Sequence, residues 1–184
     1  MASQHFQLSR LAVLILAATG CASPAAAGDL FSEVKIGILD HDTSDLWSGF
    51  RREGDSADIN IEVLLSPSVT FFGGTIRPAI GATINTQGDT SHAYVDARWQ
   101  YETAANVFFG IGVGGAIHDG NLAASDPDKK ALGSRLLFHI PAELGYRFDQ
   151  HNSVSLYFEH ISNGYTQDVN EGLDRVGVRY GYRF

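Results

Sequence analysis

The chain has 184 residues, with 13 Lys and Arg against 21 Asp and Glu, for a formal net charge of −8. That acidity argues against a nucleic-acid partner, which would need clustered cations for its phosphates. The single cysteine, Cys21, excludes an intrachain disulfide.

Residues 1–27 read as a secretory signal peptide, with one positive charge at Arg10, an apolar run over residues 11–18 and small residues ending at Ala25-Ala26-Ala27. Cleavage there would leave residues 28–184 as one domain, with 12 basic residues against 21 acidic and a net charge of −9. No later stretch approaches the roughly 20 apolar residues of a membrane helix. If the chain crosses a membrane, it does so as a closed barrel.

Eight alternating segments follow, near 33–40, 59–66, 75–84, 92–102, 107–118, 134–148, 152–162 and 173–184. Each is close to the roughly 10 residues of a tilted spanning strand. One face of each is apolar, as in Ile59, Ile61, Val63 and Leu65 of the second or Phe109, Ile111 and Val113 of the fifth. The opposite faces carry Glu62, Arg77, Asp96, Arg98, Glu102, His139, Glu143, Arg147 and Glu159, mixed in sign. A soluble sandwich would bury the first set and expose the second. The pattern predicts an all-β, eight-stranded antiparallel up-and-down transmembrane β-barrel, narrow and filled with paired charges, without a channel. Long gaps at 41–58, 85–91, 119–133 and 163–172 alternate with short ones at 103–106 and 149–151, as outer loops and periplasmic turns do. The stretch 67–74 is longer than a tight turn, and its Phe71 and Phe72 either extend a strand or sit at the interface.

The seventh segment breaks the pattern. Val154, Leu156 and Phe158 share parity with His160 and Ser162, so a polar pair faces lipid. Such a pair costs free energy there and points to function. Same-face strand neighbours lie about 6.5–7 Å apart at the backbone, close enough for an imidazole to reach a hydroxyl. His160 would then be the base that activates Ser162. The orienting acid is Asp174, on the outward face directly across the hairpin, with Asp168 and Glu171 as competing carboxylates. Asn163 could supply an oxyanion donor. The topology places this site at the outer-leaflet interface, where the acyl esters of lipid A lie, with the acyl chain along Leu156, Phe158, Val176 and Val178.

The run His160-Ile161-Ser162-Asn163, then Asn170-Glu171-Gly172-Leu173-Asp174, then a strand to a C-terminal aromatic, resembles the lipid A 3-O-deacylase (PagL) family of outer-membrane barrels. The resemblance implies hydrolysis of the 3-O-linked hydroxyacyl ester of lipid A in lipopolysaccharide by a Ser162–His160–acid triad. It also implies Asn163 and Gly164 at the oxyanion hole and no required metal or cofactor. That family usually carries Glu where this chain has Asp174. Outer-membrane phospholipase A is also similar at His-x-Ser-Asn-Gly, but it needs about twelve strands and calcium. A non-catalytic structural or adhesion barrel is the third reading. A homodimer stays open. His41, His92, His118 and His139 show no ligand spacing. Arg51, Arg52, Lys129 and Lys130 read as solvated loop charges rather than as contacts to lipid phosphates, and the aspartates of the first loop read as a solvated loop.

Overall fold

Alternating side chains give nine antiparallel strands in the computed structural model, which describes residues 30–184. The expected leader at residues 1–27 lies outside the described residues. The strands are β1 (Phe31–Asp40), β2 (Ala57–Leu65), β3 (Val69–Phe71), β4 (Gly74–Asn85), β5 (His92–Glu102), β6 (Val107–His118), β7 (Leu136–Arg147), β8 (Asn152–Ser162) and β9 (Leu173–Arg183). Neighbours in sequence pair except β2 and β3, β1 also pairs with β9, and β2 pairs with β4, so eight strands close on themselves. The three-residue β3 pairs with the start of β4, which places Phe71 and Phe72 on an exposed hairpin at the short-turn end. Closure satisfies the backbone ladder without an open edge, as hydrocarbon requires. Among the described residues no helix is long and apolar enough to cross a membrane, and the crossing is made by strands.

The two faces differ as the alternation predicts. Ile36, Ile38, Val95, Ile111, Val113 and Val178 are exposed on the outer wall. Inside, Arg179 pairs with Glu143 at 2.8 Å and Glu62 at 3.2 Å, Lys35 pairs with Glu143 at 2.6 Å, and Arg98 pairs with Glu62. Charges this deeply buried are tolerable only when paired. The lumen is therefore a packed ionic core. A one-residue slip of any strand would exchange its charged and apolar faces, which fixes the register.

The longer connections, residues 41–56, 86–91, 119–135 and 163–172, gather at one end and are called loops 1 to 4. The turns at 103–106 and 148–151 lie at the other. Pro141 interrupts the β6–β7 ladder, whose register omits Gly112, Val113, Ile140 and Pro141, because proline has no N–H to donate. Pro141 itself pairs with Glu159 and its neighbour Ile140 pairs with His160.

Candidate active site

Three residues meet on the outer wall near the long-loop end. β8 carries His160 and Ser162 two positions apart, and the register sets Asp174 of β9 directly opposite His160. Asp174 Oδ1 lies 2.6 Å from His160 Nδ1, and His160 Nε2 lies 2.8 Å from Ser162 Oγ. A proton on Nδ1, donated to the carboxylate, leaves the Nε2 lone pair on the hydroxyl.

The sequence placed these groups bare on the lipid face. The structure instead covers them: His160, Ser162 and Asp174 are only 4%, 8% and 0% exposed. Loop 1 is the cover, which corrects its reading as a solvated loop. Its Thr43 N–H donates to the Asp174 carbonyl at 2.8 Å, and its Ser48 N–H donates to Asp174 Oδ2 at 2.5 Å. Trp47 lies flat on the His160 ring, with centroids 4.4 Å apart and planes 9° apart. Both carboxylate oxygens are thus engaged, and the imidazole is held on its face as well as its edge.

Loop 1 is anchored by two buried carboxylates. Asp42 Oδ2 accepts the N–H groups of Arg52 (2.6 Å) and Glu53 (3.0 Å). Glu53 accepts from Thr90 N–H (2.9 Å), Thr90 Oγ1 (2.8 Å) and Lys130 N–H (3.0 Å), and meets His41 Nε2 at 2.9 Å. Burial opposes charge on Glu53, but the His41, Thr90 and Lys130 hydrogen bonds outweigh it and hold the carboxyl down at about 2. Burial also opposes charge on His41, yet hydrogen bonds to Asp58 and Glu53 raise its pKa. The depressed Glu53 contributes fully above its ordinary 4.5 and fails as pH falls through about 2. The raised His41 contributes fully below its ordinary 6.5 and fails as pH rises through its raised value. Loop 1 is therefore expected to resist protease best between pH 4.5 and 6.5. Glu53→Gln should weaken that resistance by about 3 kcal/mol by leaving buried donors without a charged acceptor; unchanged digestion rates would refute the anchor.

Below loop 1 lies a cleft of about 510 Å³ whose walls include Trp47, Phe50, Phe138, Ile140, Tyr165 and Gly172 beside His160 and Ser162. Phe138 and Ile140 enter because β7 pairs Phe138 with Ser162 and Ile140 with His160. Gly172 adopts φ +63°, and an added Cβ there would lie 3.0 Å from Ser48 Oγ and 3.1 Å from His160 Cε1. Gly172→Ala is expected to cost about 1 kcal/mol in stability and to lower activity roughly 10-fold by pressing loop 1 off the imidazole. Activity and melting temperature measured together check it, and a variant with wild-type activity would refute it.

The expected oxyanion residues separate. Asn163 is spent on tying loops 3 and 4 together: Nδ2 donates to the Leu132 and Val169 carbonyls at 2.9 and 2.6 Å, and its N–H donates to Asn170 Oδ1 at 2.9 Å. The Gly164 N–H has no partner among the described residues, and Gly164 lines the cleft. Asn170, which the sequence reading did not single out, also lines it. Because Asn170 Oδ1 accepts from a backbone N–H, its NH2 points the other way. An Asn seven residues after the turn could have suggested this pairing.

Of the competing acids, Asp168 is exposed, and Glu171 is taken by Arg52 (3.0 Å) and the Ala131 N–H (2.6 Å). Leu156 and Val178 line a separate shallow groove with Leu144, Tyr146 and Val154, about 20 Å along β8 from Ser162 in the case of Leu156. Phe158 and Val176 face each other between groove and cleft and line neither. The loop cations are not free solvated charges: Arg51 pairs with Asp40 and Asp55, Arg52 with Glu171, Lys129 with Asp89 and Lys130 with Asp42.

His92, His139 and Glu159 converge inside the barrel, a grouping of three strands that sequence spacing could not reveal. Arg175 donates to His92 Nδ1 at 3.1 Å and to Glu159 Oε1 at 3.4 Å, while Asp96 engages His139 Nδ1 at 2.9 Å. With Nδ1 accepting from arginine, neutral His92 carries its proton on Nε2, which faces Glu159 Oε1 at 3.5 Å.

A sequence profile described as lipid A 3-O-deacylase (PagL) matches residues 40–183. A lipid A deacylase PagL of Bordetella bronchiseptica is 25% identical over 157 residues, covering 85% of this chain and 79% of that protein. The crystal structure of the outer membrane enzyme PagL superposes with a TM-score of 0.63 at 17% identity, covering 83% of this chain and 100% of that one. Neisserial surface protein A matches with a TM-score of 0.51 at 10% identity, over 85% of this chain and 97% of its own, which is a likeness of fold alone.

Proposed function

This chain belongs to the lipid A 3-O-deacylase (PagL) family of outer-membrane β-barrel hydrolases, and from that premise we propose that it removes the 3-O-linked hydroxyacyl chain of lipid A by a serine mechanism. The observation that carries the reading is the hydrogen-bonded line Asp174–His160–Ser162 under a loop at the outer end of the barrel wall. Eight strands leave no room for the twelve-stranded phospholipase architecture.

His160 Nε2 takes the Ser162 proton as Oγ attacks the ester carbonyl. Asp174 keeps the other ring nitrogen protonated and offsets the imidazolium that forms, while Ser48 N–H fixes the carboxylate from behind. The Gly164 N–H and the Asn170 NH2 are the donors available to the developing oxyanion. His160 then protonates the departing sugar oxygen, and water admitted to the cleft hydrolyses the acyl-enzyme to release a 3-hydroxy fatty acid. The acyl chain would lie against Phe138 and Ile140 on the way to the hydrocarbon, rather than first against Leu156 and Val178. Every residue of the site comes from one chain, so no second copy is needed.

A fluorophosphonate probe tests the serine mechanism. It should add once, at Ser162, in the detergent-solubilised barrel, and His160→Ala should abolish the adduct. Labelling elsewhere, or equal labelling of the His160 variant, would overturn it.

A further inference from the structure

Tyr165 sits three residues past Ser162 in a conformation that the fold does not require. Its φ is +61°, a left-handed value that is an outlier for a bulky residue. The side chain is 86% exposed, with no hydrogen bond or ring partner among the described residues. The turn around it is closed by its neighbours: the Thr166 N–H and Oγ1 both donate to the Asn163 carbonyl, at 3.2 and 2.7 Å. Glycine would make the same turn without strain. The chain thus holds a large aromatic ring, at a cost, where it is mostly exposed and yet borders the cleft.

The cleft has a direction. Phe138 and Ile140 belong to β7 and lead down the wall toward hydrocarbon, whereas Tyr165 lies in loop 4, beyond the end of β8. With an ester carbonyl at Ser162, the acyl chain runs down the wall and the leaving alcohol lies on the loop side. On the reading above, that alcohol is an oxygen of an aminosugar ring. The ring presents a face of C–H bonds, which the negative face of an aromatic attracts, and the tyrosine hydroxyl stays in water.

We propose that Tyr165 forms the leaving-group subsite, stacking on the sugar ring that carries the ester and so favouring an acylated aminosugar over an acylated glycerol. The proposal rests on Ser162 being the nucleophile. The competing role is an interfacial anchor, which would serve every lipid substrate alike.

The test compares two substrates bearing the same 3-hydroxyacyl group in mixed micelles: a 3-O-acylated glucosamine 1-phosphate lipid and a monoacylglycerol. Tyr165→Ala should lower kcat/KM on the sugar ester about 10-fold and on the glycerol ester less than about 2-fold, while Tyr165→Phe keeps both near wild type. Tyr165→Gly should match the alanine variant on the sugar ester and melt at a higher temperature, since the left-handed strain is relieved. An equal fall on both substrates, or no fall on the sugar ester, overturns the subsite and leaves the serine mechanism standing. A wild type that leaves the sugar ester intact overturns the proposed function and the subsite together.

Discussion

Replacing Ser162 with alanine is expected to lower kcat on lipid A by on the order of 10⁴- to 10⁶-fold, the range found when a triad nucleophile is lost. Among the described residues Ser162 Oγ hydrogen-bonds only with His160 Nε2, so the substitution removes one hydroxyl from a cleft wall and leaves the barrel ladder intact. The variant should therefore fold, insert and melt as the wild type does. Turnover together with the melting temperature in detergent checks this. Loss of activity with loss of folding would leave the nucleophile unproven, whereas full activity in a folded variant would exclude Ser162.

Asp174→Asn should be nearly as damaging, by on the order of 10⁴-fold. The Asp174 carboxylate receives two donors, His160 Nδ1–H on Oδ1 and Ser48 N–H on Oδ2. An amide has one oxygen and one NH2, so it can accept from only one of them and turns a donor toward the other. If the oxygen faces Ser48, the amide NH2 forces the wrong imidazole tautomer and the Nε2 proton points at Ser162. If it faces His160, loop 1 loses its bond to the acid. Either arrangement also leaves a polar group unpaired in a fully buried position, which costs about 1–3 kcal/mol. A pH–rate profile for this variant separates the two cases: a wrong tautomer lowers the plateau, while a detached loop also increases digestion within residues 41–56. Near wild-type turnover would remove Asp174 from the mechanism.

The barrel was readable because its period is two. Once Val154, Leu156 and Phe158 face outward, His160 and Ser162 must follow, and hairpin register then places Asp174 opposite His160. The lumen followed from the other parity, where Glu62, Arg98, Glu143 and Arg179 meet as ion pairs. Loop 1 was not readable. The Ser48–Asp174 bond spans 126 residues of sequence and repeats no pattern, so nothing in residues 41–56 marks them as a cover for β8 and β9. The same reason hid the destinations of Arg52 and Lys130, whose partners Glu171 and Asp42 sit in other loops. Asn163 illustrates a different limit. Its place after Ser162 suggested an oxyanion donor, but tying loops 3 and 4 together consumes its backbone and side-chain donors alike, and the free N–H belongs to Gly164. The cleft residues Phe138 and Ile140 sat in plain sight on the outward face of β7; that they border Ser162 in one cleft while Leu156 and Val178 line another groove depends on where loop 1 lies.

Loop 1 keeps His160, Ser162 and Asp174 almost entirely out of solvent at the outer end of the barrel. Trp47 shows this most directly: one face covers the His160 ring while the residue as a whole remains 62% exposed. Covering the imidazole removes water from one face of the ring and strengthens its interaction with Asp174.

Mass spectrometry of lipid A from cells that express the wild type or Ser162→Ala, with phospholipids profiled in parallel, tests the central claim most directly. Loss of one 3-hydroxyacyl group from lipid A with the wild type alone, and unchanged phospholipids, is the result predicted. Lysophospholipid accumulation without a change in lipid A, or the same deacylated lipid A from both strains, would contradict it.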